Sequence, residues 1–214
     1  MRFTTFLLRR RTVGLLFAGA LPFAAFAAPT AGAQVAGVGN FEKLNDHVYR
    51  GAQPTDDGFR NLASLGIKTV IDLQPYGDAR SLNEERVVKA AGMEYVNVGM
   101  KGMETLPEAG IAKVLALLED TTTGPIFVHC HRGADRTGGI IACYRIEHDH
   151  WANDKALAEA RSMGMSWYQT AIQHSVMKYQ PKVSGGEVLA QAQSAGQAVP
   201  VAAAVTSATT TTVQ

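Results

Sequence analysis

The sequence predicts an α/β domain, a mostly parallel sheet of four to five strands flanked by helices on both faces. Three observations lead there. Strand-like and helix-like segments alternate from residue 41 to residue 179, the order that a parallel sheet with crossover helices produces. Residues 125–129 form a short, nearly all-apolar run, as expected of a strand buried on both faces. Residues 107–119 carry Ile111, Val114, Leu115 and Leu118 at i, i+3, i+4 and i+7, one face of a helix.

In chain order, residues 41–50 read as a short pair of strands closing on Gly51-Ala52-Gln53-Pro54. Thr55 has the form of a helix cap, with Asp56 and Asp57 in the first turn, where the helix dipole favours them. Phe59, Leu62 and Leu65 form the apolar stripe of that helix, and Gly66 ends it. Residues 67–73 are a strand rich in branched side chains. Ser81 or Asn83 opens a second helix that runs through Val87, Val88 and Ala91 to Gly92, and residues 93–98 are the next strand. After the 107–119 helix and the 125–129 strand, helices are expected at 137–148, at 153–163 with Asn153 as its cap, and at 167–179. Ligands of such sheets bind beyond the carboxyl ends of the strands. The loop that follows His129 lies there.

The two ends of the chain are different material. Residues 1–33 begin with Arg2, Arg9, Arg10 and Arg11 and no acid, continue through an apolar run, and finish in small residues. That is the order of a secretory signal peptide. The apolar run falls short of the ~20 residues that a membrane span needs, so no stable span is expected once the leader is removed. Residues 184–214 are dominated by Ala, Gln, Gly, Ser, Thr and Val, with Glu187 as the single charge, a composition that predicts disorder. The working domain is residues 39–182 of an exported, periplasmic or extracellular protein.

Net charge excludes one class of partner. The whole chain is +1 at pH 7. A leader with four of the 20 basic and none of the 19 acidic residues leaves 16 against 19, a net −3. A mildly acidic chain without a basic run has no electrostatic footprint for nucleic acid.

The chemistry is carried by His129-Cys130-His131-Arg132-Gly133-Ala134-Asp135-Arg136-Thr137-Gly138. A short turn between strand and helix points successive backbone N–H groups at one spot and forms an anion nest. The helix's first N–H groups and its dipole add to that field. Gly133 allows a tight turn, and Arg136 is a fork for two phosphate oxygens. The same field favours the thiolate of a cysteine, which makes Cys130 a nucleophile aimed at phosphorus. N–H groups and Arg136 would meet the equatorial oxygens of the transition state. Thr137 is placed to hydrogen-bond the sulfur, and His129 to orient the loop. Gly133, Ala134 and Gly138 are expected to line the phosphate, with His131 and Arg132 at the mouth. No metal and no cofactor are called for. Cys143, two turns into the following helix, reads as a small buried apolar residue rather than a disulfide partner.

This run resembles the signature of the protein tyrosine phosphatase superfamily, dual-specificity branch. Val48-Tyr49-Arg50-Gly51-Ala52-Gln53-Pro54 and residues 58–73 are similar to small bacterial members, and the likeness spans residues 41–179. The resemblance implies a four- or five-stranded parallel-centred sheet, no metal, and hydrolysis of phosphomonoesters through a cysteinyl-phosphate intermediate. Members usually carry an Asp general acid on the loop after the strand at 93–98. Residues 99–107 contain no Asp, and Glu104 is the only carboxylate before Pro107. Glu108 reads as a first-turn acid favoured by the dipole. A second candidate acid is Asp135, at a position where myotubularin and Sac-type lipid phosphatases also carry Asp. Its bland reading is an ion pair that holds Arg136 or a structural contact to the loop.

The substrate class stays open between phosphoprotein, lipid, nucleotide and inositol phosphate. Lipid and inositol phosphatases of this superfamily often carry Lys where this chain has Ala134. Two other readings compete: a rhodanese-type sulfurtransferase, whose loop usually lacks the Arg-Thr-Gly helix start, and a phosphate-reading module without catalysis, favoured by the missing loop Asp. His148 and His150 are two apart, which does not place both on one helix face; with Trp151 they read as a helix end. Trp167 and Tyr168 are expected in core and rim positions.

Overall fold

The computed structural model describes residues 34–182. The leader read at 1–33 and the tail read at 184–214 lie outside the described residues. Five strands, β1 (Glu42–Lys43), β2 (Val48–Ala52), β3 (Thr69–Asp72), β4 (Glu94–Asn97) and β5 (Ile126–Cys130), form one sheet in the order β1-β2-β5-β3-β4. β1 is antiparallel to β2, and the other pairs are parallel. Six helices accompany them: α1 (Asp56–Ser64), α2 (Ala79–Ala90), α3 (Glu108–Glu119), α4 (Asp135–Glu147), α5 (Asn153–Ser162) and α6 (Thr170–Lys178).

Strand alternation divides the core between two faces. Val48, Ile71, Ile126 and Val128 pack with α3, α4, α5 and α6; Tyr49, Val70 and Phe127 pack with α1 and α2. All five residues of β5 are buried, because it lies between β2 and β3 with helices on both sides. Full burial of a side chain such as Phe127 is worth ~2–3 kcal/mol, so the strand that delivers Cys130 is among the most firmly held parts of the molecule. α4 is buried at Thr137 through Tyr144 without interruption, and it packs against α3, α5 and α6.

Thr55 caps α1 as expected, its side chain accepting the Gly58 N–H at 3.0 Å. Two other caps differ. α2 starts at Ala79, and Asp78 caps it by accepting the Ser81 N–H at 2.8 Å; Ser81 instead accepts the Gly77 N–H and donates to Asp78 O. Ala152, not Asn153, holds the cap position of α5. The Asn153 amide is used elsewhere, donating to Val176 O at 2.8 Å and Tyr179 O at 2.9 Å and so satisfying carbonyls at the end of α6. α6 begins at Thr170 rather than near 167. Trp167 and Tyr168 precede it on the surface, Trp167 84% exposed, packed edge-to-face on each other instead of into the core. His148 stacks on Tyr144 and Trp151 lies beneath Lys155 and Arg145, so this stretch is the helix end that the sequence suggests.

Candidate active site

The loop from Cys130 to Arg136 joins the central strand β5 to the start of α4, at the carboxyl edge of the sheet. Gly133 has φ +67°, and a Cβ there would overlap the carbonyl of Gly51 on β2. The loop is pressed against the neighbouring strand so closely that no side chain fits, which is why this position is glycine.

Arg136 is in the first turn of α4. Its Nη1 donates to Met100 O at 3.3 Å and reaches Leu73 O at 3.5 Å. These carbonyls follow the ends of β4 and β3, so the guanidinium is held across the carboxyl edge. Thr137 is fully buried, and its Oγ1 has no hydrogen-bond partner among the described residues. A buried hydroxyl left free is uncommon in folded proteins, and this one belongs to a residue expected to serve the reacting sulfur.

His129 lies directly before Cys130 on β5. Its Nε2 is 2.7 Å from Glu84 Oε1, and its Nδ1 is 3.4 Å from Cys130 O. Glu84 also accepts from Gln53 Nε2 at 2.9 Å and from Arg80 Nη1 at 2.7 Å, and Arg80 Nη1 reaches Asp72 Oδ2 at 3.1 Å. Asp72, Glu84 and His129 are close enough together to resemble a metal-ligand set. The guanidinium of Arg80 already bridges the two carboxylates, and Tyr95 and Asn97 donate to Asp72. The cluster is a satisfied ion network, and its donors do not fit an added metal.

The remaining predicted residues divide. His131 is exposed. Arg132 turns to the loop between α5 and α6, donating to Ser166 Oγ at 2.8 Å and Gly164 O at 3.3 Å. Asp135 does not hold Arg136. Its Oδ1 accepts the Ser166 N–H at 2.8 Å and its Oδ2 pairs with Arg132 at 3.3 Å, so it clamps the loop to the α5–α6 turn. Ala134 is buried. Gly138 does not present a free N–H: that group donates to Ala134 O at 3.0 Å, and the missing side chain leaves room for Ala160 and Met165. Glu104 is exposed and pairs with Lys101 at 3.5 Å. Neither cysteine is in a disulfide. Burial, with a smaller contribution from Glu147, pushes the Cys143 thiol up to about 12, so it is inert at neutral pH.

Sequence reasoning missed Arg50 and Asn40, which bind the loop from the amino-terminal strands. Arg50 is fully buried, and its Nη2 donates to Gly133 O at 2.6 Å. The available signal was a charged residue inside the buried strand Val48–Ala52. A groove between α3 and α6, lined by Pro107, Ile111, His174 and Lys178 among others, includes none of the loop residues.

A thiol, a forked guanidinium, a helix start and a free hydroxyl thus meet at one strand–helix junction. Such a set can bind a tetrahedral oxyanion and attack its centre.

Comparison with known proteins bears on this arrangement. The family model "PTP-NADK: DSP-PTPase phosphatase fused to NAD+ Kinase" matches residues 23–178. The chain is 30% identical over 112 residues to the inositol diphosphatase DSP2 of Oryza sativa subsp. japonica, covering 50% of this chain and 53% of that protein. It is 27% identical over 137 residues to the inositol diphosphatase DSP3 of Arabidopsis thaliana, covering 61% and 65%. The matches therefore span between about half and two thirds of these relatives. In fold, the chain is similar to the core catalytic domain of the PP-IP phosphatase SIW14 from S. cerevisiae, with TM-score 0.60, 24% identity, and coverage of 76% of this chain and 96% of that one. It is also similar to P. aeruginosa TpbA, with TM-score 0.57, 23% identity, and coverage of 66% and 85%.

Proposed function

The chain belongs to the family of dual-specificity, protein-tyrosine-phosphatase-like phosphatases, and from that premise we propose that it is an exported phosphomonoester hydrolase acting through a cysteinyl-phosphate intermediate. One observation carries the reading: Cys130 ends the buried central strand at the mouth of a glycine-pinned loop, with Arg136 and Thr137 in the first turn of the helix that follows. Cys130 Sγ attacks phosphorus, and the P–O bond to the leaving group breaks. Arg136 and the loop N–H groups hold the three equatorial oxygens. Water then cleaves the S–P bond, releasing inorganic phosphate and the thiolate, with the Thr137 hydroxyl supporting the sulfur as it departs.

The acid that protonates the leaving oxygen is a carboxylate, and Asp135 and Glu104 are the candidates. Asp135 has both oxygens engaged in holding the loop. Glu104 is exposed on the 99–107 segment, whose Met100 carbonyl touches Arg136. We favour Glu104 for the proton and Asp135 for loop support. Either is a weak provision for a poor leaving group, since general acid catalysis needs a well-placed protonated donor.

That weakness favours substrates whose leaving group departs with little help. Aryl phosphates, phosphotyrosine among them, are one class. A diphosphate is the other, because its leaving group is itself a phosphate; the names of the plant relatives support this second reading, an inositol diphosphate substrate.

The deciding experiment measures phosphate release by protein without residues 1–33 from p-nitrophenyl phosphate, a phosphotyrosine peptide, a diphosphoinositol phosphate and an alkyl phosphate. Parent, Cys130→Ser, Asp135→Asn and Glu104→Gln are compared. Cys130→Ser is expected to be inactive on all; turnover by that variant would overturn the mechanism. Glu104→Gln should slow the alkyl phosphate more than the aryl one, and Asp135→Asn should slow both alike. Release of sulfite from thiosulfate without phosphatase activity would instead indicate the sulfurtransferase.

A further inference from the structure

Three successive carbonyls of the Cys130–Arg136 loop are held by one earlier stretch of chain, residues 40–53. His131 O accepts the backbone N–H of Gln53 at 3.1 Å. Arg132 O is 3.4 Å and Gly133 O 3.1 Å from the side-chain nitrogen of Asn40. Gly133 O also accepts from the Arg50 guanidinium at 2.6 Å. A trans, planar peptide puts its N–H opposite its C=O. Carbonyls 131, 132 and 133, all drawn toward residues 40–53, therefore turn the N–H groups of Arg132, Gly133 and Ala134 to the opposite side. Three consecutive N–H groups facing one way are an anion nest.

We propose that Arg50 and Asn40 are positioning residues that impose the anion-binding shape of this loop through the carbonyls of Arg132 and Gly133. The inference rests on the phosphate-site reading above. Stability alone does not account for Arg50. It is fully buried in β2, and its Nε and Nη1 have no partner among the described residues; a buried donor left unpaired is destabilising. What the residue does contact is the loop. Asn40 is the outer half of the clamp. It is exposed and holds a left-handed backbone, φ +48°, which Asn tolerates better than most residues. Its amide nitrogen also lies 3.1 Å from Met163 O, which ties the loop to the end of α5.

Charge gives Arg50 a second effect. Burial pulls its pKa down, and the negative charges of Glu42 on β1, Glu159 on α5 and Cys130 on β5 oppose that, with Arg145 on α4 acting in the same sense as burial. The charged and titratable neighbours of Cys130 within the signature loop are His129, His131, Arg132, Asp135 and Arg136. Arg50 thus adds a cation that is not part of the signature loop.

The test uses the leaderless protein, inorganic phosphate as the ligand, and Asn40→Ala, Arg50→Met and Arg50→Lys. Phosphate affinity is measured by calorimetry. The nucleophile's surroundings are read from the ratio of Cys130 alkylation rates with iodoacetate, an anion, and iodoacetamide, a neutral analogue. A loosened nest should weaken phosphate binding about three- to tenfold in Asn40→Ala, the size expected from losing a neutral hydrogen bond, and more in Arg50→Met, which loses a charged donor. The iodoacetate-to-iodoacetamide ratio should fall with it, and Arg50→Lys should recover much of the ratio. A general loss of packing would change both alkylation rates together, leave their ratio unaltered, and not be rescued by lysine. Because Arg50 is buried, Asn40→Ala carries the test if Arg50→Met does not fold. A parent that binds phosphate beside folded variants that bind it within twofold of the parent overturns the positioning role alone. A parent that does not bind phosphate overturns the site reading and this proposal together.

Discussion

His129 Nε2 lies 2.7 Å from Glu84 Oε1, with both side chains buried, so the residue before the proposed nucleophile is anchored to α2. The same carboxylate neutralises Arg80. Removing one member of a buried ionic cluster leaves the others uncompensated and typically costs about 3–5 kcal/mol. Glu84→Ala should therefore lose roughly that much stability in urea titration. Glu84→Gln keeps a hydrogen-bonding group in place and should lose less. Both should lower turnover of an aryl phosphate even where the protein is fully folded, because the side chain of the residue before Cys130 loses its anchor.

Thr137 makes the opposite case. Its Oγ1 is buried without a partner among the described residues, and deleting an unsatisfied buried polar group is nearly neutral or stabilising. Thr137→Val should leave the unfolding midpoint unchanged or raise it slightly, yet slow the breakdown of the phosphoenzyme. Rapid-quench kinetics should then show a burst of leaving group followed by a steady rate about a hundred- to a thousandfold lower, the range for losing one well-placed donor. A destabilised variant with no burst would count against a role for the hydroxyl in the second step.

The loop was legible in the sequence because its parts are contiguous: nucleophile, glycine, arginine and helix start lie within ten residues, and spacing alone brings them together. Its supports were not. Asn40 and Arg50 reach Gly133 from 93 and 83 residues away, and Glu84 reaches His129 from 45; only the pairing of β2 with β5 and the packing of α2 create those contacts. The fold class was legible from the alternation of periods. Details failed where one polar residue had two possible uses. Asn153 serves the end of α6 instead of its own helix start, and Asp78 takes the cap expected of Ser81 or Asn83. Gly138, read as part of the phosphate site, serves packing between α4 and α5, because the helix has already claimed its N–H.

The two thiols should behave differently. Burial, with Glu147 adding to it, pushes Cys143 up to about 12, so at pH 8 it is protonated and shielded. Iodoacetamide at pH 8 should label the native protein once, at Cys130, and label Cys143 only after denaturant is added. Mass spectrometry of tryptic peptides checks this, and early labelling of Cys143 would show that α4 opens more readily than its packing implies.

Acid sensitivity has an identifiable contributor at the far end of α4. Burial alone would raise the Asp149 pKa, but its bonds to Arg145 at 2.7 Å and to His148 at 2.8 Å outweigh that and hold it below the ordinary carboxyl range. A carboxyl depressed in the folded state stabilises at pH above its unfolded value, ~3.9, and loses that contribution as pH falls through the folded value. Asp149→Asn should be less stable than the parent at pH 7 by up to about 1 kcal/mol, as for other partly exposed pairs, and the two should converge as pH falls through the folded value. Urea midpoints at pH 7 and pH 3 measure the difference.

The hold that Asn40, Arg50 and Gln53 exert on the carbonyls of residues 131–133 also bears on folding. These contacts close long loops of chain, and long-range pairings form late. An unfolded or half-folded chain therefore carries every residue of the ten-residue signature without the surface that those residues make. This delays competence: the thiol meets an ordered loop only after the first strands have docked beside the last. The same logic says that transplanting the signature into another α/β scaffold would carry the nucleophile across and leave its mould behind.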